Sequence, residues 1–531
     1  MEWKSTHLPY RQTGYFSRLI TDYLDQADDL SPYYAHPANP EGMRAALAAR
    51  KAGKRVDRAT LVAALEEQYA GMPEAPRVKE NIARLAKPDT FTICTAHQPA
   101  IFTGHLYFVY KILHTIRLAA WMAEQHPGDH FVPVFYMGSE DADLEELGHI
   151  SLGGERLVWD TRQTGAVGRM KTKGLDKLYH RIEGELSVQP FGRELMVLLK
   201  EAYLESPDIQ TATFRILHRL FAEYGLIVLI ADKAVFKAQM IDVFEDDLFR
   251  QEPSRIVANT IDQLSQGYDI QANPRDINLF YLKDDLRGRI EKTGEGYKIH
   301  GSGQSFTEEG MREELHRYPE RFSPNVILRG LFQETILPNL AFVGGGGETA
   351  YWLELKALFD HYSTPFPVLV LRSSFLLVQR QWMEKMERAG FGVSDLFREE
   401  EDLMNELVKR DSNQTLSLEE EIAAANQYYD NLKALTRPVD PTLEQHVAAL
   451  QTKAVEPIRL LEKKLLRAEK RKFGDQQRQI HAVKEALFPG ESLQERVENI
   501  LPWYAAYGPA ILRDLYAHSP VWGEFVVLTE A

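Results

Sequence analysis

From residue 90 onward, short apolar runs alternate with stretches of helical periodicity, and this alternation restricts the chain to few architectures. The runs are Phe91–Thr95, Phe131–Met137, Leu226–Ala231, Leu340–Val343 and Pro367–Leu371. Helical patterns follow at Tyr107–Glu124, Ala234–Leu248 and Thr349–Tyr362. Strands joined through helices favour a parallel sheet, so the predicted class is α/β. Ligands of such sheets gather at the carboxyl ends of the strands, which makes the residues after each run the first candidates for chemistry.

The chain of 531 residues is too long for one hydrophobic core. Residues 1–90 read as a helical region packing on the core, with Asp57 capping a helix that begins near Ala59. Residues 91–150 form the first half of the core, 151–330 an inserted connecting region, and 331–385 the second half with a glycine-rich loop. Residues 386–490 then read as a helical arm, and 491–531 as helices returning to the core, among them an amphipathic helix over Leu493–Tyr507 kinked at Pro502. In the arm, Ser417 and Glu420 have capping-box spacing. Leu418, Ile422, Ala425, Tyr429 and Leu432 follow as a heptad seam. A second seam runs from Leu443 to Ala468 with one stutter, next to Pro457. A helix reaching Leu487 would span ~70 Å, at ~1.5 Å per residue. An arm of that length needs something to pack on, and a homodimer through the coiled coil is expected, with a self-contained hairpin as the alternative.

The formal charge of −15 argues against a nucleic-acid partner, which selects a basic face. No run approaches the length of a membrane span, and the first residues lack a signal-peptide core. The single cysteine, Cys94, excludes an intrachain disulfide and any site with two thiolates from one chain. A cytoplasmic location is expected, and Cys94 reads as a core residue.

Three clusters carry the candidate chemistry. The first runs from Thr95 to Lys111, between a strand and a helix, and contains His97, Gln98, Thr103, Gly104, His105, Tyr107 and Lys111. Thr103 and Gly104 at a helix start would offer amides to an anion, and His97 and His105 titrate near neutrality. The second, Ser139 to Glu146, places Glu140, Asp141 and Asp143 directly after a strand, where they could bind a substrate amine or hydroxyls. A solvated acidic helix start is the plainer reading of the same residues. The third runs from Pro338 to Trp352. Asn339 opens a strand, and Gly344, Gly345, Gly346 and Gly347 then lead into a helix with Glu348, Tyr351 and Trp352. Such glycines let backbone amides approach a ligand, although neither a Walker loop nor a complete dinucleotide fingerprint is present. Arg169 and Arg372 could each reach a carboxylate or phosphate, or sit in surface ion pairs. No metal site is identified, since zinc and His-Glu-x-x-His spacings are missing.

Together these clusters resemble the cysteine-adding ligases of bacillithiol biosynthesis. The matching stretches are Phe102-Thr103-Gly104 with Leu106-Tyr107 and Tyr110-Lys111, Val132-Pro133-Val134 with Ser139-Glu140-Asp141, and Thr164 to Met170. Ile336 to Ala341 continues into Gly344–Glu348 and Tyr351-Trp352, followed by Phe366 to Val370 and Leu493 to Asn499. The resemblance covers most of the chain beyond residue 90. It implies a Rossmann-like, nucleotidyltransferase-type core with inserted segments and a long coiled-coil arm that forms a homodimer. It also implies a reaction: the carboxyl of cysteine joined to the amine of glucosaminyl malate, with ATP or another nucleotide activating the carboxyl. His97, His105 and Asp141 are the candidate catalytic groups. Gln494, Arg496 and Asn499 are candidates for a second nucleotide site. The chain departs from the pattern at Ala142, where many relatives have His, and at Phe102–His105, which keeps only the Gly-His half of a synthetase His-x-Gly-His motif. A non-catalytic binding or assembly protein of the same fold, or an ATP-dependent ligase for another amine, are the alternatives.

Overall fold

The computed structural model describes residues 2–414 and 416–531, which form two compact units. One comprises His7–Leu376 and Leu493–Val526; the other gathers Leu377–Ser492 with both chain ends.

The larger unit is built on five parallel strands: β1 (Thr90–His97), β2 (His130–Met137), β3 (Ile227–Ile230), β4 (Asn339–Gly344) and β5 (Val368–Leu371). Their order is β5-β4-β1-β2-β3. The strands are buried and largely apolar because both faces are covered, as parallel sheets require, with Thr90, Thr92 and Thr95 of β1 buried among them. On one side Phe91, Ile93, Val343 and Val370 pack with Leu118 and Met122 of helix α1 (Leu106–Gln125) and with Met43 and Leu47 of the helix Pro40–Ala52. Full burial of each such side chain contributes roughly 1.5–3 kcal/mol. Cys94 lies fully buried in β1. Asp57 caps the helix Arg58–Tyr69, accepting from the Thr60 amide at 3.0 Å.

Register brings the strand ends level. His97 pairs with Met137, Met137 with Ile230, and Gly344 with Leu371. Between β1 and β4 the strand order reverses, so their following segments diverge and leave a crevice above the sheet. Helix α2 (Gly346–Leu353) leaves β4 on one side of that crevice, and α1 leaves β1 on the other.

The interval 151–330 supplies β3 and also a separate antiparallel sheet. Its strands Ser305–Phe306, Gly296–Ile299, Leu286–Thr293, Leu279–Lys283 and Phe322–Pro324 lie in that order. Two expected helices are broken. Ala234–Leu248 divides into short helices and a π turn at Asp246–Arg250, where buried Asp247 turns to accept the Asn278 amide at 2.6 Å. The pattern Thr349–Tyr362 begins earlier, at Gly346, and splits at Glu354, whose carboxylate accepts the Gln271 amide at 2.8 Å. The expected helix from Leu493 begins only at Ile500, after a 3₁₀ turn at Gln494–Arg496. Pro502 then falls in its first turn, where a missing N–H breaks no helical bond, so no kink follows.

In the smaller unit, α3 (Glu419–Thr436) pairs with α4 (Leu443–Lys470) as a hairpin, and α5 (Gly474–Leu487) follows. Lys433 donates to Gln451 Oε1 at 2.5 Å across the hairpin. A 3₁₀ turn at Arg471–Phe473 interrupts the expected continuous helix. The 28 residues of α4 therefore span ~42 Å rather than ~70 Å. The Ser417–Glu420 capping box does not form. Ser417 Oγ accepts from the Glu419 amide at 3.3 Å, and the Leu418 amide donates to Glu462 instead. Helix α3 has no buried residue, and Tyr428, Leu435, Leu450, Leu460 and Leu461 are exposed. Among the described residues no helix is long and apolar enough to cross a membrane.

Candidate functional site

A cavity of about 500 Å³ opens where the five parallel strands end. His97 ends β1 and Gln98 follows it, Glu140 and Asp141 follow β2, Asp232 follows β3, Gly345 to Glu348 follow β4, and Arg372 follows β5. The level register explains the first contacts: Gln98 Nε2 donates to Asp141 Oδ2 at 3.1 Å, and the Gly138 amide donates to the His97 carbonyl at 2.9 Å.

The floor is a buried ion pair across the crevice. Lys111 of α1 donates to Glu348 Oε2 of α2 at 2.5 Å and to the Ala96 carbonyl at 2.6 Å. The same Glu348 oxygen accepts the Gly345 amide at 2.8 Å. Burial opposes ionisation of Glu348, yet Lys111 and the Gly345 amide hold its carboxyl below the usual range. The amides of Gly346 and Gly347 open α2 ahead of its repeating bonds, leaving them available to an anion in the cavity. None of the four glycines adopts a positive φ. Only Gly344 is required on steric grounds. A Cβ on Gly344 would lie 2.8 Å from the Phe342 ring, and one on Gly345 would lie 3.6 Å from Arg372 Nε.

Arg372 is fixed by a buried bidentate pair with Glu495, at 3.0 and 2.6 Å, and it stands over the Tyr107 ring at 5.3 Å. On the opposite wall, Lys237 is fully buried between Glu140 and Asp232, while Arg169 donates twice to Asp232 at 2.7 and 2.8 Å. Burial pushes Glu140 above its ordinary range despite the pull of Lys237. Asp141 is held in place by its own neighbours, accepting the Ala142 amide at 2.6 Å and the Asp143 amide at 3.2 Å. His97 Nδ1 lies 2.9 Å from the Gln98 carbonyl, which only accepts, so Nδ1 carries the hydrogen and Nε2 the lone pair. Burial first, and Lys111 second, lower His97 to about 4 and keep it neutral.

Residues 1–373 match the family described as "Bacillithiol biosynthesis BshC, N-terminal Rossmann-like domain", and residues 375–530 match its "C-terminal coiled-coil domain". The chain belongs to the BshC family. A relative from Cytophaga hutchinsonii, named "Putative cysteine ligase BshC", is 38% identical over 91% of this chain and 91% of its own length. One of the same name from Flavobacterium johnsoniae is 36% identical over 98% of this chain and 99% of its own. A solved structure described as "putative arginyl t-RNA synthetase" from Campylobacter jejuni aligns over 85% of this chain and all of its own, at 10% identity and a TM-score of 0.21, too low to support any argument.

Within this BshC-family core, the cavity unites His97, Gln98, Tyr107, Glu140, Asp141, Gly345, Gly346, Gly347, Glu348, Tyr351, Arg372 and Arg496. Lys111, Arg169 and Gly344 stand behind that surface and position it. Other candidates lie elsewhere. Asn339 is at the opposite end of β4, donating to Glu334 at 2.7 Å. Trp352 is fully buried and stacks on Phe342 at 4.7 Å, so it is a core residue. Asp143 is exposed and spends its carboxylate capping the short helix Leu144–Leu147.

The expected free amides at Thr103 and Gly104 are occupied. Thr103 donates to Tyr203 Oη at 3.4 Å and Gly104 to the Ile101 carbonyl at 3.0 Å, while α1 begins only at Leu106. Phe102, Thr103 and Gly104 all have positive φ (48°, 69° and 59°), and Asn499 Nδ2 holds this strained loop through the Phe102 and Gly104 carbonyls. Asn499 is therefore structural, Gln494 is buried, and Arg496 alone of that trio reaches the cavity. His105 is half-buried outside the cavity lining, with Nδ1 3.2 Å from the Val497 carbonyl. Sequence reasoning missed Asp232, Lys237, Arg287, Arg329 and Glu495. Each lies far along the chain from the group it pairs with or the motif it serves; Glu495 sits within the Leu493–Asn499 stretch but was not singled out there.

Proposed function

We propose that this cavity joins the carboxyl group of cysteine to the amine of glucosaminyl malate, the amide-forming step that gives bacillithiol. The observation that supports this most strongly is the division of the cavity. One wall presents the helix-start amides of Gly346 and Gly347 beside Arg372, and the other presents the carboxylates of Glu140 and Asp141. An anionic, activated carboxyl suits the first wall and an ammonium the second. A carboxylate is a poor electrophile, so ATP or another nucleotide would supply its activation. The Gly346 and Gly347 amides, with Arg372 and Arg496, fit the phosphates of such a group. Glu140 and Asp141 orient the amine, and the buried Lys237 and Arg169 keep that wall in place. Neutral His97 offers a lone pair for the proton released as the amide forms. The activity belongs in the cytoplasm, where cysteine is reduced, and the exposed apolar residues of α3 and α4 suit a homodimer.

The test is incubation of the purified chain with isotopically labelled cysteine, glucosaminyl malate and ATP, read by mass spectrometry. A product carrying the cysteine label, formed only with all three present and lost in Asp141→Asn, is the expected result. No labelled amide under any nucleotide would refute it.

A further inference from the structure

The ionic pairs around the cavity leave an asymmetry. Lys111 is matched by Glu348, Lys237 by Glu140 and Asp232, and Arg372 by Glu495. Three further guanidiniums line the cavity with no carboxylate within 4 Å among the described residues: Arg496, which is exposed to solvent, and the half-buried Arg287 and Arg329. Arg287 comes from the antiparallel sheet. It lies over the Phe280 ring at 3.8 Å, and its Nε is buried with no hydrogen-bond partner among the described residues. Arg329 comes from the helix Val326–Ile336. It donates to Tyr351 Oη at 2.7 Å and to Gln333 Oε1 at 3.3 Å, both neutral acceptors.

Withdrawing a guanidinium from water without a carboxylate in contact is unfavourable, and the fold half-buries two along one cavity. Burial opposes the charge of Arg329, but Tyr351, Tyr136 and the more distant Glu348 outweigh it and hold the group above its ordinary value. Stacking fixes the plane of Arg287 and a phenol fixes that of Arg329, so both forks are oriented before a ligand arrives. Burial lowers Arg287 below its ordinary value, with Asp141 and Glu140 opposing from a distance.

We propose that Arg287 and Arg329 bind a dianionic group of the substrate, and that this group is the dicarboxylate end of the amine substrate. This rests on the function proposed above. The same two forks would also suit a nucleotide phosphate, so the test separates the two sources. Each guanidinium takes one anionic group through paired N–H donors, which explains why no protein carboxylate fills either position. Neither residue belongs to a sequence motif, and both come from the 151–330 region, which thereby sets specificity for the acid portion while the strand ends carry the chemistry.

The experiment is calorimetry on the full-length chain with L-malate, L-lactate and AMP as separate probes. Wild type is expected to bind malate more tightly than lactate. Arg287→Gln should weaken malate binding about tenfold or more, since hydrogen bonds to charged groups are strong, and leave AMP unchanged. Arg329→Gln should do the same, and its thermal melt reports whether the helix still packs. Arg287 sits on a hairpin, so Arg287→Gln and Arg287→Lys carry the test if Arg329→Gln fails to fold. Unchanged malate binding in Arg287→Gln would overturn the proposal, as would weakened AMP binding with malate unaffected, which reassigns the guanidiniums to a phosphate. Malate binding lost in the variants of a chain that forms no amide would sink the proposed reaction and leave this dianion site standing.

Discussion

Lys111 Nζ lies 2.5 Å from Glu348 Oε2, joining the helix after β1 to the glycine turn after β4. The contact crosses the point where the sheet changes direction, so it fixes the width of the crevice. Glu348→Ala strands an ammonium whose side chain is only 2% exposed. The expected loss is about 3 kcal/mol in urea unfolding, because removing one partner of a buried pair leaves an uncompensated charge. The double variant Lys111→Met, Glu348→Gln should lose less. A double variant as unstable as Glu348→Ala would show that the pair is not the source of the effect.

Two buried histidines make stability depend on pH. His97 and His114 are both lowered from an ordinary 6.5 to about 4, chiefly by burial. His114 is locked neutral by geometry, since Nδ1 accepts the Ser373 amide at 2.9 Å. Above pH 6.5 the folded and unfolded chains both carry neutral imidazole, and the full contribution is present. As pH falls toward 4 the unfolded chain takes up protons that the folded chain refuses, so stability is lost across that window, by about 1.4 kcal/mol per unit and per histidine. Denaturant titrations at pH 7, 6 and 5 should therefore show the wild-type midpoint falling relative to that of His97→Gln, by one histidine's share, with the other buried groups cancelling in the comparison. Midpoints that fall in parallel would contradict the buried, neutral assignment.

The glycines of the turn should divide by role. Gly344→Ala places a Cβ 2.8 Å from the Phe342 ring and should cost about 1–3 kcal/mol of stability through overpacking. Gly345→Val has room for Cβ, yet its methyl groups enter the cavity beside Arg372. It should weaken nucleotide binding by calorimetry with a smaller change in melting temperature. Equal melting losses in both variants, with binding intact in Gly345→Val, would remove the turn from the site.

Exposed apolar residues on the hairpin predict self-association. Leu461 is 50% exposed, and α3 buries none of its residues. Patches of this kind find a partner, most often through a two-fold contact. Replacing Leu461 and Leu465 by Asp should convert a dimer to a monomer in sedimentation velocity while near-ultraviolet dichroism stays unchanged. Wild-type protein sedimenting as a monomer at micromolar concentration would rule out the coiled-coil dimer.

The sheet was legible because strands covered on both faces must be largely apolar, and their carboxyl ends then pointed to His97, Asp141 and Gly345. Local signals misled where a residue's role depends on burial. Trp352 follows the glycine turn in sequence, but helical geometry aims it at Phe342 and the core. Asn339 begins the strand whose other end carries the site, so sequence proximity concealed the length of β4 between them. The Ser417–Glu420 spacing was a sound cap signal that lost to Glu462, a residue on a neighbouring helix. The partners that fix the charges, Glu495 for Arg372 and Lys237 for Glu140, are 123 and 97 residues away, and only the folded sheet brings them together.

The most direct test of the central claim is the thiol pool of a bacterium of this family from which the gene is deleted. The account predicts that bacillithiol disappears and glucosaminyl malate accumulates, that the wild-type chain restores the pool, and that Asp141→Asn, folded as judged by its melting curve, does not. An unchanged bacillithiol level in the deletion strain would contradict it.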